Sequence, residues 1–229
     1  MAQPMSTLSP SKTISIGGIV ATIATAASIC LFFWDYPVFF PLRILAVFLH
    51  EASHALAAIL TGGTPIALAV NLDESGHTLS QGGFFPFVAA AGYIGTAVIG
   101  AILIALGRNP RWQAAFVTGL GILLLYLAFT VLRPWQWEFW VGLVFAGSWI
   151  WLNFAYRPVA QYFNLFMGSF LSIYALSDFR DFQYNVGATD AGILANSWGL
   201  PFLAWPIALI WMAIILAIMA GALRYLLKE

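Results

Sequence analysis

Residues 38–61 read VFFPLRILAVFLHEASHALAAILT, an apolar run that is long enough to span a bilayer as one helix. Three ionisable side chains, His50, Glu51 and His54, interrupt the middle of this run. An ionisable residue near the centre of a membrane helix costs about 2.5–3.5 kcal/mol on insertion scales. These three side chains therefore need a compensating partner in the folded protein, which a metal ion, a water-filled cavity or both would supply.

The composition of the whole chain indicates a membrane protein. Of 229 residues, 62% are hydrophobic and 8% are charged, whereas soluble domains carry about 25% charged residues. This composition argues against a water-soluble fold. Nine basic residues balance nine acidic ones, so the net charge gives no indication of a nucleic-acid partner. Cys30 is the only cysteine, which excludes an intramolecular disulfide and a multi-cysteine metal site.

Apolar stretches of spanning length predict about seven transmembrane helices. The first stretch is longer than the apolar region of a cleaved signal peptide and is predicted to be a retained helix. No repeat or linker separates domains, so we expect an all-α, multi-pass (polytopic) membrane protein with a single domain over residues 1–229, beginning with a polar tail at 1–13. The predicted spans are residues 14–33, 38–61, 84–106, 112–132, 137–155, 159–176 and 201–223.

Two segments lack the pattern of a spanning helix. Between residues 65 and 83 apolar residues alternate with others, with Val70 and Leu72 on the apolar face, and a polar turn follows. This pattern predicts a small membrane-associated β-hairpin after the second span. Residues 178–199 are polar and irregular, and they predict a loop or a short interfacial helix.

The polar residues of the second span form the pattern His-Glu-x-x-His. On a helix, His50 and His54 project from one face, close enough for both imidazoles to bind one zinc ion. Glu51 can take a proton from the attacking water as general base and return it to the leaving amine. The pattern thus predicts zinc-dependent hydrolysis of a peptide bond. The competing interpretation is ordinary helix packing, in which neighbours satisfy the polar side chains.

Small residues are expected to bring another helix close to this face. Gly92, Thr96 and Gly100 recur at four-residue spacing in the next span. Such a stripe admits a neighbouring helix at short distance. We therefore predict that this stripe packs against the histidine face of the second span.

A catalytic zinc site has three protein ligands and leaves a fourth position for water. Asp178 is the leading candidate for the third ligand, because it follows an apolar stretch almost directly and can reach membrane depth. Asp181 and Asp190 are alternatives, although Asp190 could instead be an N-cap or first-turn residue of a helix. A solvated turn is the favoured interpretation of the remaining polar candidates, which are Asp73, Glu74 and His77.

These motifs resemble the site-2 protease family of intramembrane zinc metalloproteases, in its short bacterial-type branch. The resemblance implies that His50 and His54 bind zinc and that Glu51 is catalytic. It also implies that the hairpin presents an edge strand to an extended substrate, with Val70 and Leu72 as substrate-binding residues. Better-known members carry the third ligand in an Asp-Gly pair, which this sequence lacks. The matching stretches are residues 48–55, 61–63, 89–95, 172–178, 189–191 and 199–201, together with Trp205.

The sequence therefore predicts an intramembrane protease that cuts a membrane-tethered protein within or next to its transmembrane segment, in a bacterial-type plasma (inner) membrane. The expected partners are this substrate and the lipid bilayer, with no nucleic acid. The main alternative is a catalytically silent relative that serves as a structural or assembly subunit of a membrane complex. Intact Glu51 argues against that alternative. A transporter or channel is disfavoured because the chain has no repeat and few other intramembrane charges.

Overall fold

A computed structural model describes residues 14–177 and 185–228 of the chain. Within these residues the chain forms eight α-helices and one antiparallel sheet of two strands. The strands, β1 (Thr64–Val70) and β2 (Gly76–Gln81), follow the second helix. The helices are α1 (Ile16–Phe32), α2 (Phe40–Leu60), α3 (Phe85–Ala105), α4 (Pro110–Thr130), α5 (Trp137–Ala155), α6 (Arg157–Ser177), α7 (Asp190–Ser197) and α8 (Ala204–Lys228).

The predicted all-α polytopic fold with a small hairpin is confirmed. Apolar helices form at each of the seven predicted spans. In the described part of the chain, five of them are long and apolar enough to cross a membrane, namely α2, α3, α4, α6 and α8. Helix α1 is shorter, with 17 residues, and α5 carries the polar residues Glu138 and Asn153. Length and composition thus support five spans, two fewer than the sequence predicts.

Helix α2 is the most enclosed of the membrane-length helices. In its most apolar stretch of 18 residues 83% of the residues are buried, compared with 22% in the most apolar stretch of α8. Large α2 side chains such as Leu45, Phe48 and Leu49 are fully buried in the main core, together with residues of α4, α5 and α6. The surrounding helices therefore shield the ionisable residues of α2 from lipid.

Helices α3 and α6 touch through their backbones at a pair of glycines. A Cβ atom on Gly100 would lie 2.6 Å from the carbonyl oxygen of Gly168, and a Cβ atom on Gly168 would lie 2.7 Å from that of Gly100. Such close approach is typical of small residues at membrane helix interfaces. The prediction that Gly100 packs against α2 is therefore wrong, since this glycine serves the α3–α6 contact.

The hairpin forms where the sequence predicts it. Its strands pair from Thr64 opposite Gln81 to Val70 opposite Gly76, with one register irregularity. Strand β1 is the inner strand, because Val70 is completely buried, whereas most β2 side chains are partly or fully exposed. Glu74 in the turn adopts a φ of 68°, a left-handed conformation that is uncommon for a residue other than glycine.

Replacing Gly168 by alanine should destabilise the bundle, although alanine is a better helix former than glycine by about 0.8–1 kcal/mol. The new methyl group would meet the Gly100 carbonyl at 2.7 Å, and such overpacking costs about 1–3 kcal/mol. Gly147→Ala on α5 is the matched control, since a Cβ there has no heavy atom within 4 Å. Thermal unfolding in one detergent should give a Tm below that of the wild-type protein for Gly168→Ala only. Equal Tm values for the wild-type protein and both variants would contradict the close packing.

Candidate metal centre

Two histidines of α2 and one aspartate of α7 meet inside the bundle. His50 and His54 lie one helical turn apart and are each 7% exposed. The Oδ2 atom of Asp190 lies 3.1 Å from His50 Nε2 and 3.2 Å from His54 Nε2. One ligand atom from each of the three residues falls within 4.8 Å of the others. Among the described residues, this is the group of side chains that could hold a metal ion.

The turn before α7 determines where Asp190 lies. Asp190 is in the first turn of the helix, as the sequence allows, and Thr189 is the N-cap whose Oγ1 accepts from the Gly192 N–H at 3.2 Å. The Thr189 hydroxyl also lies 2.7 Å from the carbonyl of Val186. A Cβ on Gly192 would lie 1.9 Å from that carbonyl oxygen. Glycine at position 192 therefore allows the preceding turn to fold directly onto α7.

The charge of Asp190 suits the binding of a metal ion. Burial by itself raises the pKa of its carboxyl, but the His54 and His50 imidazoles act in the opposite sense through charge and hydrogen bonds. The net result is a pKa below the ordinary value for an aspartate. The carboxyl is therefore held in the ionised form, which is the form that binds cations.

A backbone carbonyl fixes the orientation of the His54 ring. Its Nδ1 lies 2.7 Å from the carbonyl oxygen of Val88 on α3. Because a carbonyl only accepts hydrogen bonds, Nδ1 must carry a hydrogen, and in the neutral imidazole, which is the form that binds a metal, the lone pair is then on Nε2. Nε2 faces Asp190. Metal-binding histidines commonly donate their other ring nitrogen in this way, which sets the tautomer.

Gly92 of α3 leaves the space into which the two imidazoles point. A Cβ at this position would lie 2.2 Å from His50 Nε2 and 2.4 Å from His54 Nε2. The predicted packing of the small-residue stripe against the histidine face is thus confirmed at Gly92. Tyr93, the next residue, contacts the His50 ring edge-to-face, with 4.9 Å between the ring centroids.

The structure also tests whether the three side chains fit a zinc ion. Two ligand atoms on a tetrahedral ion, with bonds of about 2.0–2.1 Å, lie roughly 3.3 Å apart. The separations of 3.1 and 3.2 Å between Asp190 Oδ2 and the two imidazole nitrogens agree with this spacing. Two imidazoles and one carboxylate are also a donor set found in catalytic zinc sites. The residues present therefore fit the ion.

Glu51 lies beside this group and faces the hairpin. It is 5% exposed, and its Oε2 accepts a hydrogen bond of 2.8 Å from the hydroxyl of Thr78. His50, Glu51 and Asp190 line a partly polar cavity of about 350 Å³. A larger groove of about 610 Å³ between α2, α3 and α4 is almost entirely apolar and is lined by no titratable side chain. The polar cavity is therefore the one suited to chemistry.

The other predicted site residues have different positions. Asp178 and Asp181 lie outside the described residues, so the prediction of Asp178 as third ligand remains a prediction. Val70 has a fully buried side chain, while Leu72 follows the end of β1 and is 68% exposed. The polar hairpin residues do not join the metal group, since Asp73 and His77 are exposed and Glu74 pairs with Arg43.

Two features were not predicted from the sequence, namely the hydrogen bond from Thr78 to Glu51 and the pairing of Glu74 with Arg43. The only available signal for Thr78 was its place on β2, two residues after Gly76. Residues at that spacing lie on one face of a strand.

A bundle of membrane-length helices that buries a His-Glu-x-x-His face opposite a carboxylate is the arrangement that the resemblance to site-2 proteases predicts. Comparison with protein families agrees, because residues 22–222 match the family model for Peptidase M50B-like proteins. The chain belongs to this family, which confirms the predicted membership of the site-2 protease family. It is therefore an integral membrane protein of a metalloprotease family. No curated protein and no solved structure matches the chain significantly.

Replacing Gly92 by alanine should weaken metal binding, because the methyl group would occupy the space between the two imidazole nitrogens. Changes in groups that support metal ligands typically cost about 10–100-fold in metal affinity, and we expect a loss in at least this range. Metal content can be measured by mass spectrometry of the purified proteins. Gly119→Ala on α4 is the control, since a Cβ there meets no heavy atom within 4 Å. Equal metal content in both variants would contradict the geometry of the site.

Proposed function

We propose that the protein is a zinc-dependent endoprotease that cuts a membrane-tethered protein within or next to its transmembrane segment. The observation that carries this proposal is the convergence of His50, His54 and Asp190 beside Glu51. In this proposal Asp190, rather than Asp178, is the third zinc ligand. Two imidazoles and a carboxylate would leave one position for water, as in other catalytic zinc sites.

The chain's own residues supply the acid–base chemistry. When bound, zinc would polarise the substrate carbonyl and lower the pKa of water toward about 7. Glu51 accepts the proton of the attacking water and donates it to the nitrogen of the leaving amine, so that the peptide bond is replaced by a carboxylate and an amine. Val88 holds His54 through its carbonyl, and Asp190 would offset part of the charge of a bound ion in a poorly solvated site.

The location of the site supports a membrane-tethered substrate. The candidate centre lies on a membrane-length helix, next to the hairpin. Each of the two hairpin strands pairs on one side only in the described sheet. An extended peptide could add to such an edge strand. We propose that Leu72, which is exposed, contacts this peptide. Val70 would contribute only by holding β1 in place, because its side chain is buried and its N–H donates to Glu138 at 3.4 Å.

The proposal includes a bacterial-type plasma membrane as the location and a membrane protein as the substrate. A catalytically silent subunit of a membrane complex is the alternative to exclude. Zinc content separates the two, because stoichiometric zinc in the purified protein supports the enzyme and its absence supports the silent subunit.

Replacing Glu51 by glutamine should abolish cleavage while zinc remains bound. Glutamine keeps the size of the side chain but cannot accept the proton, and general-base catalysis contributes about 10²–10⁴-fold. Membrane proteomes of cells with the wild-type protein or Glu51→Gln can be compared by mass spectrometry. The substrate should accumulate uncut only in the variant. Identical proteomes from cells whose wild-type protein holds zinc would contradict a protease.

The third ligand can be assigned by replacing three aspartates in parallel. Asp190→Ala should lower zinc affinity at least about tenfold, since removing a ligand should cost no less than removing a group that supports one. Asp178→Ala and Asp181→Ala should keep their zinc. The measurement is zinc stoichiometry of the purified proteins after dialysis against a weak chelator. Retention of zinc in Asp190→Ala, with its loss in Asp178→Ala, would transfer the assignment to Asp178.

A further inference from the structure

Both carboxylate oxygens of Glu51 meet the same strand. Oε2 accepts the 2.8 Å hydrogen bond from the Thr78 hydroxyl, and Oε1 lies only 2.6 Å from the point where a Cβ on Gly76 would be. Gly76 and Thr78 are two residues apart on β2 and share one face. The Thr78 hydroxyl is also 3.0 Å from the backbone carbonyl oxygen of Glu51. Within the described residues, Thr78 is the hydrogen-bond donor that reaches this buried carboxylate.

We propose that Thr78 is a positioning residue for the catalytic base Glu51, and that the ion pair between Arg43 and Glu74 holds the hairpin in the place where Thr78 makes this contact. The proposal rests on the proposed function, because it treats Glu51 as the base. It adds the β-hairpin to the machinery that aligns the base.

The Thr78 contact makes the two oxygens of Glu51 unequal. The Thr78 hydroxyl takes one lone pair of Oε2, whereas Oε1 accepts no hydrogen bond from the described residues, so Oε1 is the less engaged oxygen for the proton of the attacking water. A general base must lie within hydrogen-bond reach of that proton, and catalytic groups need to be held within about 0.5 Å of the productive geometry. A glutamate side chain has several rotatable bonds, so a fixed hydrogen bond and a close wall at Gly76 restrict it to one orientation.

A second contact fixes the turn of the hairpin on α2. Arg43 lies about two helical turns before Glu51 on the same helix. Its Nε and Nη2 atoms lie 2.7 and 2.6 Å from Glu74 Oε1. The guanidinium is held in turn by the carbonyl oxygens of Trp34 and Tyr36 and lies over the Trp34 ring. Arg43 is therefore a fixed anchor.

The backbone of Glu74 strengthens the argument that this anchor has a positioning role. The residue keeps a φ of 68°, a left-handed conformation that persists in a residue other than glycine only where the surrounding structure enforces it. Only one residue, Ser75, separates Glu74 from Gly76, the first β2 residue in contact with Glu51. A shift of the turn would therefore move both Gly76 and Thr78 away from the carboxylate.

The decisive variants are Thr78→Val and Thr78→Ser. Valine keeps the shape and suits a strand at least as well as threonine, so a merely structural role predicts no loss of activity. Removing the positioning hydroxyl should lower kcat about 10–100-fold with KM and zinc content unchanged, because small misplacements of catalytic groups cost up to about this much. Serine, which keeps the hydroxyl, should restore kcat. The probe is a synthetic single-span peptide with a fluorophore and a quencher, reconstituted with the enzyme in vesicles.

Infrared difference spectroscopy gives a readout that does not need activity. The carboxylate stretching band of Glu51 is the band that disappears in Glu51→Gln. It should shift in Thr78→Val, keep its position in Thr78→Ser, and shift in Glu74→Gln, whose weakened ion pair releases the hairpin. Asp73→Asn is the matched control in the same turn, because Asp73 accepts hydrogen bonds from Ser75 and does not contact Arg43 or Glu51 through hydrogen bonds. It should keep both the band and kcat.

The outcomes separate the inference from the proposed function. Wild-type kcat and an unshifted band in Thr78→Val would overturn the positioning role, as would a serine variant that behaves like the valine variant. An unshifted band in Glu74→Gln would overturn the part played by the ion pair. If the wild-type, zinc-loaded protein leaves the peptide uncut, the proposed function fails, and the infrared band alone then decides the inference.

Discussion

The fold depends on one constraint, which is that the three ionisable side chains at the centre of a buried, membrane-length helix must each have a partner. The partners come from three different elements: α3 gives the Val88 carbonyl to His54, α7 gives Asp190 to both histidines, and β2 gives the Thr78 hydroxyl to Glu51. Leaving one such buried group without a partner costs about 1–3 kcal/mol, and more for a charged group. The need to pair these α2 side chains therefore brings α3, α7 and β2 together at one place.

The hairpin follows from the same constraint. An isolated hairpin of two strands is marginally stable at best, and this one is attached to the helices by polar contacts. Arg43 pairs with Glu74 at 2.6 Å, and the buried carboxylate of Glu138 accepts from the Val70 N–H at 3.4 Å. Such contacts gain strength where water is excluded, but they also carry a desolvation cost. Their clearest consequence is specificity, because the hairpin meets both partners only when it lies in one position against α2 and α5.

Local patterns explain how much of the structure the sequence could predict. Apolar run length and the four-residue spacing of His50 and His54 are properties of single segments, so the helices, the hairpin and the histidine face could be derived from the sequence. The partner of His50 could not be derived from the sequence, because Asp190 is 140 residues away along the chain. The sequence favours Asp178 for its nearness to a membrane helix, a criterion that ignores how α7 packs. The backbone contact between Gly192 and Val186, which places α7, leaves no periodic signal in the sequence.

The three glycines around the site show why the His-Glu-x-x-His pattern does not suffice to define it. Gly92, Gly76 and Gly192 lie where a Cβ would approach His50, Glu51 or the turn that supports Asp190 to 2.2, 2.6 and 1.9 Å respectively. Each one removes a side chain at the point where a neighbouring element must come within hydrogen-bond distance of α2 or of its partner. A helix with the same two histidines and glutamate, packed against larger residues, would hold these groups too far apart to share an ion. The candidate metal centre is therefore a property of α2, α3, α7 and the hairpin packed together, and the glycines determine it as much as the ligands do.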